Sequence, residues 1–189
     1  MNADLLVYQA KAFYNAYIAL DQLSRDDSDT LLLLFVPLVV NGAFSVELAL
    51  KAILAKNQIE YGKEHNLLIL FQMLPKSFQQ ELWAYLIEKA PEYAGSEKGL
   101  DELILLSNAF VDWRYAFEGK PVPAIESRFL AAFANAAVHT MFSYYNADLL
   151  PATKTEPNNE IEQRFHENRE KCKEINLKMI QKKTKEHQL

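Results

Sequence analysis

The sequence predicts an all-α protein: an up-and-down bundle of about five helices, followed by a charged amphipathic helix at the C-terminal end. Three observations indicate this class. Half of the 189 residues are apolar, enough for a sizeable core. Five glycines and seven prolines are too few for the closely spaced turns of a β-sandwich. The single cysteine, Cys172, excludes an internal disulfide framework and a cysteine-rich zinc site.

The predicted helices follow one another with short connections. Apolar residues three and four positions apart, with proline or glycine at the breaks, predict helices over 3–24, 30–57, 67–74, 75–90, 100–118 and 124–150. The second is apolar nearly all round, which is typical of the central helix of a bundle. Its longest apolar run, Leu31–Val40, falls short of the ~20 residues that a membrane span needs. We therefore predict a core helix and no membrane association.

A polar, proline-containing stretch near the C-terminal end predicts a boundary. Pro151 and Thr153–Asn159 indicate a linker, which divides the chain into a helical bundle over 1–151 and a linker with a C-terminal helix over 152–189. Apolar residues in Glu160–Glu186 alternate spacings of four and three, as in a short coiled-coil seam. This helix could pack on its own bundle, form a dimer seam or remain solvated, and the sequence leaves all three open.

The charge distribution limits the classes of partner. The chain has a net charge of −5 at pH 7, and before residue 154 eleven Lys and Arg face eighteen Asp and Glu. Extensive duplex DNA binding is not expected, because counterion release needs clustered Lys and Arg. Met1–Asp4 lacks the basic region and apolar stretch of a secretory signal, so we expect a cytoplasmic protein.

Three polar residues in and after the second predicted helix are candidate ligand-binding residues. Glu47 shares a face with Leu50 that should be buried, and a buried carboxylate costs several kcal/mol unless it is paired. Lys51 follows four residues later, the favourable order for an ion pair. His65 lies in the next turn. A structural ion pair with a capping histidine, or a shared ligand pocket, would each explain this pattern.

Two further candidates come from the later helices. Arg114 aligns with Ser107 and Phe110 on the fifth predicted helix, so we expect its guanidinium to face the interior, where it would suit carboxylate or phosphate recognition. His139 belongs to a polar stripe that could form the solvated face of its helix, or it could meet Arg114 from the neighbouring helix. We therefore expect all five candidates to cluster where the second, fifth and sixth predicted helices meet. The histidines and the cysteine have no metal-ligand spacing, so we predict no metal and no cofactor.

Four segments carry a resemblance to a known family. The HEPN domain family is resembled by Ala43–Leu54, the turn Gly62–Leu67, Leu74–Pro75 and the later stretch Phe110–Glu118 taken together. The resemblance implies an up-and-down helical bundle that commonly dimerises. It also implies kinship with ribonucleases of toxin–antitoxin, abortive-infection and other defence systems. Their catalytic motif is an arginine, four to six residues, and then a histidine at the dimer interface.

This chain departs from that motif. Positions 119–121 after Arg114 and 133–135 after Arg128 hold no histidine, and the other arginines fail in the same way. We therefore predict a non-catalytic or divergent HEPN-like bundle. It would form a homodimer and bind a nucleotide, RNA, another anionic ligand or a partner protein, in a defence or toxin–antitoxin setting.

Two alternatives remain open at this point. One is a metal-independent ribonuclease with a rearranged site, in which Arg114 and His139 act from different helices. In that chemistry the histidine would move protons while the arginine stabilises the phosphate charge. The other is a dimeric interaction module that acts through the C-terminal helix.

Overall fold

The computed structural model describes residues 3–25, 28–94, 97–115, 118 and 124–145, with only the backbone for 28–32. The helices are α1 (Ala3–Ser24), α2 (Ser28–Lys56), α3 (Leu67–Met73), α4 (Lys76–Lys89), α5 (Glu97–Leu106), α6 (Ala109–Arg114) and α7 (Ser127–Tyr145), with one 3-10 turn at Pro91–Tyr93. These ranges contain no strand. Five of the seven helices have ten or more residues, which confirms the predicted all-α bundle.

The predicted division of the chain lies largely beyond the described part. All described residues belong to one unit, residues 1–147. The linker and C-terminal helix predicted for 152–189, with their apolar seam, fall outside the described residues. The boundary at 151 and the role of that helix therefore stay predictions.

The helix predicted over 100–118 is wrong, because the chain forms two helices there. It turns at Ser107–Asn108, between α5 and α6. Both polar residues are engaged at the break: the Ser107 carbonyl accepts from the Leu67 amide at 2.8 Å, and Asn108 Oδ1 accepts from Asn66 Nδ2 at 3.0 Å. The Asn108 side chain readily bonds outside a helix, and Ser107 contributes its backbone carbonyl, so the start of α3 can hold this turn.

The central helix of the bundle is α2. It packs against α1, α3, α6 and α7, and its C-terminal half has almost no exposed side chain. By length and composition, Leu33–Lys56 could cross a membrane, but 56% of its most apolar window is buried inside the bundle. The core helix of a soluble protein passes the same test. The absence of membrane association therefore stays a prediction.

Hydrogen bonds connect the C-terminal ends of α2 and α7. The Tyr145 hydroxyl donates to the Ala52 carbonyl at 2.9 Å, and Lys56 Nζ donates to the Tyr144 carbonyl at 2.7 Å. Burial raises the pKa of Tyr145 to about 12, so its hydroxyl keeps the proton that it donates. The Lys56 ammonium also lies 4.2 Å from the centroids of both tyrosine rings.

A close approach of three helices occurs at Gly42. A Cβ at this position would lie 3.0 Å from a ring carbon of Tyr17 in α1 and 3.1 Å from a methyl carbon of Leu130 in α7. The glycine thus lets α1 and α7 pack directly against the backbone of α2. Because Tyr17 and Leu130 are buried, neither side chain can move aside into solvent.

We expect Gly42→Val to lower the free energy of unfolding by about 1–3 kcal/mol, because the added carbons overpack this contact. Urea denaturation followed by circular dichroism measures the change. Ala19→Val, at an exposed position of α1, is the matched control, and it should cost about 0.5 kcal/mol or less. Equal losses in the two variants would contradict the close packing at Gly42.

Candidate functional site

A buried ion pair lies in the central helix, as the sequence predicts. Glu47 is only 1% exposed and Lys51 7%. Lys51 Nζ donates to Glu47 Oε1 at 2.7 Å. The same carboxylate oxygen lies 2.9 Å from Nδ1 of His65, which comes from the turn before α3. Three of the five predicted residues therefore meet at one carboxylate.

The second carboxylate oxygen of Glu47 is less well satisfied. Oε2 is buried, and no group in the described part of the chain donates a hydrogen bond to it. An ionised carboxylate can accept about four hydrogen bonds, and here one oxygen takes both partners. The carboxylate therefore depends on Lys51 and His65 to offset the cost of its burial.

The Glu47 carboxylate fixes the orientation of the His65 imidazole. An ionised carboxylate only accepts, so Nδ1 carries the proton in this hydrogen bond and Nε2 is the nitrogen left for a ligand. The side chain of His65 is 49% exposed. The turn itself is also fixed, because Glu64 Oε1 accepts from the backbone amides of His65 and Asn66 at 2.9 and 2.7 Å.

The expectation that Arg114 faces the interior is wrong, because its side chain is exposed. That expectation assumed one helix from 100 to 118, whereas the turn at Ser107–Asn108 changes the direction in which α6 presents its residues. The guanidinium carbon lies 4.9 Å from the ring centroid of Phe110 and 4.7 Å from that of Tyr115. Nη2 donates to the Tyr115 hydroxyl at 3.0 Å.

Phe110 connects Arg114 to the buried pair. Its ring stacks on Phe44 of α2, with 4.2 Å between centroids and 13° between planes. The His65 ring lies 6.4 Å from the same Phe110 ring. His65 and Arg114 thus border one aromatic side chain. We call His65, Phe110 and Arg114, with Glu47 and Lys51 beneath them, the His65 corner.

His139 does not join this group in the described contacts, contrary to expectation. It is exposed on α7 and stacks on Tyr85 of α4, with 3.8 Å between ring centroids and 12° between planes. The reason is the face on which it lies. α7 turns Ala136, Ala137 and Thr140 into the bundle, whereas His139 lies at the edge of that face, beside Tyr85 of α4.

Sequence reasoning missed the aromatic residues that connect the corner. Phe110 lies one turn before Arg114, a spacing that favours a cation–π contact and could have indicated this neighbour. Asn66 could also have been assigned as the N-cap of α3, since it precedes an apolar run, and its Oδ1 accepts from the Ile69 amide at 3.1 Å. Within the described ranges, no three His, Cys, Asp or Glu side chains are grouped as a metal site would require.

The comparisons with known proteins agree with the helical architecture. The model of the HEPN domain family matches residues 39–128, slightly less than half of the chain. This chain carries a HEPN-like domain. The matched region includes Glu47, Lys51, His65 and Arg114 but not His139. HEPN domains are all-α and often have ribonuclease or nucleotide-related activity. Comparison with curated proteins and with solved structures gives no match.

We expect Lys51→Met to lower the free energy of unfolding by about 3–5 kcal/mol, because it leaves the Glu47 carboxylate buried beside His65 alone. The double variant Glu47→Met/Lys51→Met should recover most of that loss, because apolar residues of similar volume replace both charges. Chemical denaturation of the three proteins provides the measurement. A double variant as unstable as Lys51→Met would show that the uncompensated charge is not the cause.

Proposed function

We propose that the HEPN-like domain binds a phosphate group of a nucleotide or of RNA at the His65 corner. The observation that carries the proposal is the hydrogen bond from His65 Nδ1 to the buried Glu47 carboxylate. The exposed guanidinium of Arg114 contacts the Phe110 ring, which the His65 ring also borders. The bond holds the imidazole so that Nε2 is available to a ligand, and the guanidinium can donate in parallel. Charge-assisted hydrogen bonds of this kind are suited to phosphate.

Of the two roles that the sequence left open for Lys51, we propose the ion pair. The Lys51 ammonium is bound to Glu47, and its side chain is 9% exposed. It therefore offsets the charge of the carboxylate that orients His65, and it does not contact the ligand. The groups that meet the phosphate are His65 and Arg114.

The rest of the surface supports a small ligand or a single nucleotide of a longer one. Before residue 154 the chain is acidic, so it attracts no extended polyanion. At the corner, Lys63 is exposed next to His65, and the Tyr115 ring is 40% exposed beside Arg114. An aromatic ring beside a phosphate-binding arginine provides a surface against which a base can stack.

Arg114→Ala is expected to weaken binding of ATP and of a mixed-sequence 12-nucleotide RNA by about tenfold, the loss of one charge-assisted hydrogen-bonding group. Isothermal titration and fluorescence anisotropy give the dissociation constants. Arg128→Ala is the matched control, because Arg128 is also an exposed arginine and pairs with Glu92 at 2.6 Å. Similar affinities in wild type, Arg114→Ala and Arg128→Ala would rule out the corner as the binding site.

A second candidate function is RNA cleavage, and the His65–Glu47 hydrogen bond is the observation that favours it. A carboxylate that holds an imidazole in one tautomer prepares the other ring nitrogen for proton transfer. His65 would accept the proton of an RNA 2′-hydroxyl as that oxygen attacks the adjacent phosphorus. The bond between phosphorus and the 5′-oxygen of the next nucleotide breaks, which leaves a 2′,3′-cyclic phosphate, and the departing oxygen takes a proton from water. Arg114 would stabilise the charge that develops on the phosphate. His65 thus replaces His139 in the rearranged site that the sequence suggested.

Incubation of the purified protein with single-stranded RNA tests cleavage. If the corner is catalytic, His65→Ala should lower the cleavage rate by at least about 100-fold, the contribution of general acid–base catalysis. His139→Ala should leave the rate unchanged, since that histidine is stacked on α4. Intact RNA in the wild-type reaction, or a loss of cleavage in His139→Ala alone, would contradict this second function.

Three further inferences from the family likeness and the sequence pattern remain predictions. They are the homodimer, the defence or toxin–antitoxin setting, and an interaction role for the C-terminal helix. HEPN domains commonly form dimers, which supports the first. The third concerns residues outside the described part of the chain.

A further inference from the structure

Away from the His65 corner, an open groove of about 600 Å³ runs along α4. Four residues of α4 that line it, Gln80, Trp83, Ala84 and Ile87, have spacings of three, one and three, so they form one stripe on the helix. With Lys76 one turn earlier, the stripe extends over three turns, about 16 Å at 1.5 Å per residue. The groove therefore has the length of a short helix.

Helix α5 contributes to the wall of the groove that faces α4. Leu100 lines the groove and is 45% exposed, and Ile104, one turn later on the same face, is 49% exposed. The two helices approach closely at Gly99, where a Cβ would lie 2.9 Å from the Trp83 ring. The apolar residues of α4 thus face Leu100 of α5 across one open space, an arrangement that accommodates a third helix.

One end of the groove carries a positioned positive charge. Gln79 Nε2 donates to the carbonyls of Gln72 and Leu74, at 3.0 and 2.8 Å, which fixes this amide on the turn between α3 and α4. Gln79 Oε1 then accepts from Lys76 Nζ at 3.1 Å. The Lys76 ammonium is exposed, and it keeps two further N–H groups for other acceptors.

We propose that this α4–α5 groove binds an amphipathic helix of a partner protein. The bound helix presents apolar residues one turn apart to Trp83, Ile87 and Leu100, and a carboxylate to Lys76. The length of the stripe favours an extended helical ligand over a compact one. Lys76 is the one charged residue among the described residues of the lining, and its ammonium favours an acidic partner. The proposal is independent of phosphate binding at the His65 corner.

Synthetic peptides and the full-length chain test the proposal. The probe is a fluorescein-labelled 14-residue helical peptide with leucines at positions 4, 7 and 11 and two glutamates at one end; a second peptide has lysines in place of the glutamates. We expect saturable binding of the acidic peptide in fluorescence anisotropy. Ala84→Arg should weaken it at least about tenfold, because a charge would enter the apolar floor. Ala16→Arg, at an exposed position of α1, should not change it.

A charge reversal tests the polarity. Lys76→Glu is compatible with the first turn of α4, where acidic residues are favourable. The substitution should weaken binding of the acidic peptide about threefold and strengthen binding of the basic peptide by a similar factor, as expected of an exposed ion pair. Ala84→Trp fills the groove without adding charge and should weaken both peptides, so a loss of binding does not depend on one substitution.

Several results would overturn the proposal. They are no binding of either peptide, equal binding by wild type and Ala84→Arg, and a preference for the basic peptide in the wild type. Sedimentation of the full-length chain without peptide can give a fourth result that overturns the proposal. If the protein self-associates and Ala84→Arg makes it monomeric while no peptide binds, the groove is an interface between copies of this chain.

Discussion

The Glu47 carboxylate inside the central helix is the constraint on which the arrangement of the site depends. α2 packs against four other helices, so a charge on its buried face cannot reach water. It requires partners from within the bundle, and it obtains them from Lys51 on the same helix and from His65 on the turn before α3. The requirement for a stable core and the requirement for a fixed histidine are therefore met by the same hydrogen bonds. An apolar residue in place of Glu47 would remove the cost of burial and, with it, the orientation of the imidazole.

The break between α5 and α6 determines where the arginine of the site lies. A continuous helix would have carried Arg114 to the interior, whereas the contacts of Ser107 and Asn108 with the start of α3 end α5 and allow α6 to begin in a new direction. Phe110 then reaches α2 and Arg114 stays at the surface above it. The same contacts hold the start of α3 at the α5–α6 turn, and His65 and Arg114 both border Phe110. The site is consequently a surface corner on a buried ion pair, and not an interior pocket.

Local pattern was sufficient to predict most of the fold and part of the site. The bounds of α1 agree with the sequence prediction, because its apolar spacing is regular and a cluster of aspartates follows it in the sequence. The Glu47–Lys51 pair was also predictable, since both residues belong to one helix and their spacing alone brings them together. The break at Ser107–Asn108 was not, because hydrogen bonds from residues 40 and 42 positions earlier stabilise it. The contact of His139 with α4 likewise depends on how α7 is rotated against its neighbours, and small residues on several faces of that helix leave its rotation undetermined by sequence.

The resemblance to HEPN ribonucleases and the geometry of the His65 corner predict different arrangements of the arginine and the histidine. In the family's ribonucleases the arginine and the histidine come from one short motif. Here His65 and Arg114 come from separate elements and meet only through Phe110 and the contacts of α3 with the α5–α6 turn. Such a corner offers one imidazole and one guanidinium, enough for a single phosphate group but not for a long polyanion. Because the free energy of counterion release grows with the number of phosphates neutralised, an acidic domain with this corner gains little from a duplex. It would gain most from a ligand that places one phosphate and one base together, as a nucleotide or an unpaired RNA residue does.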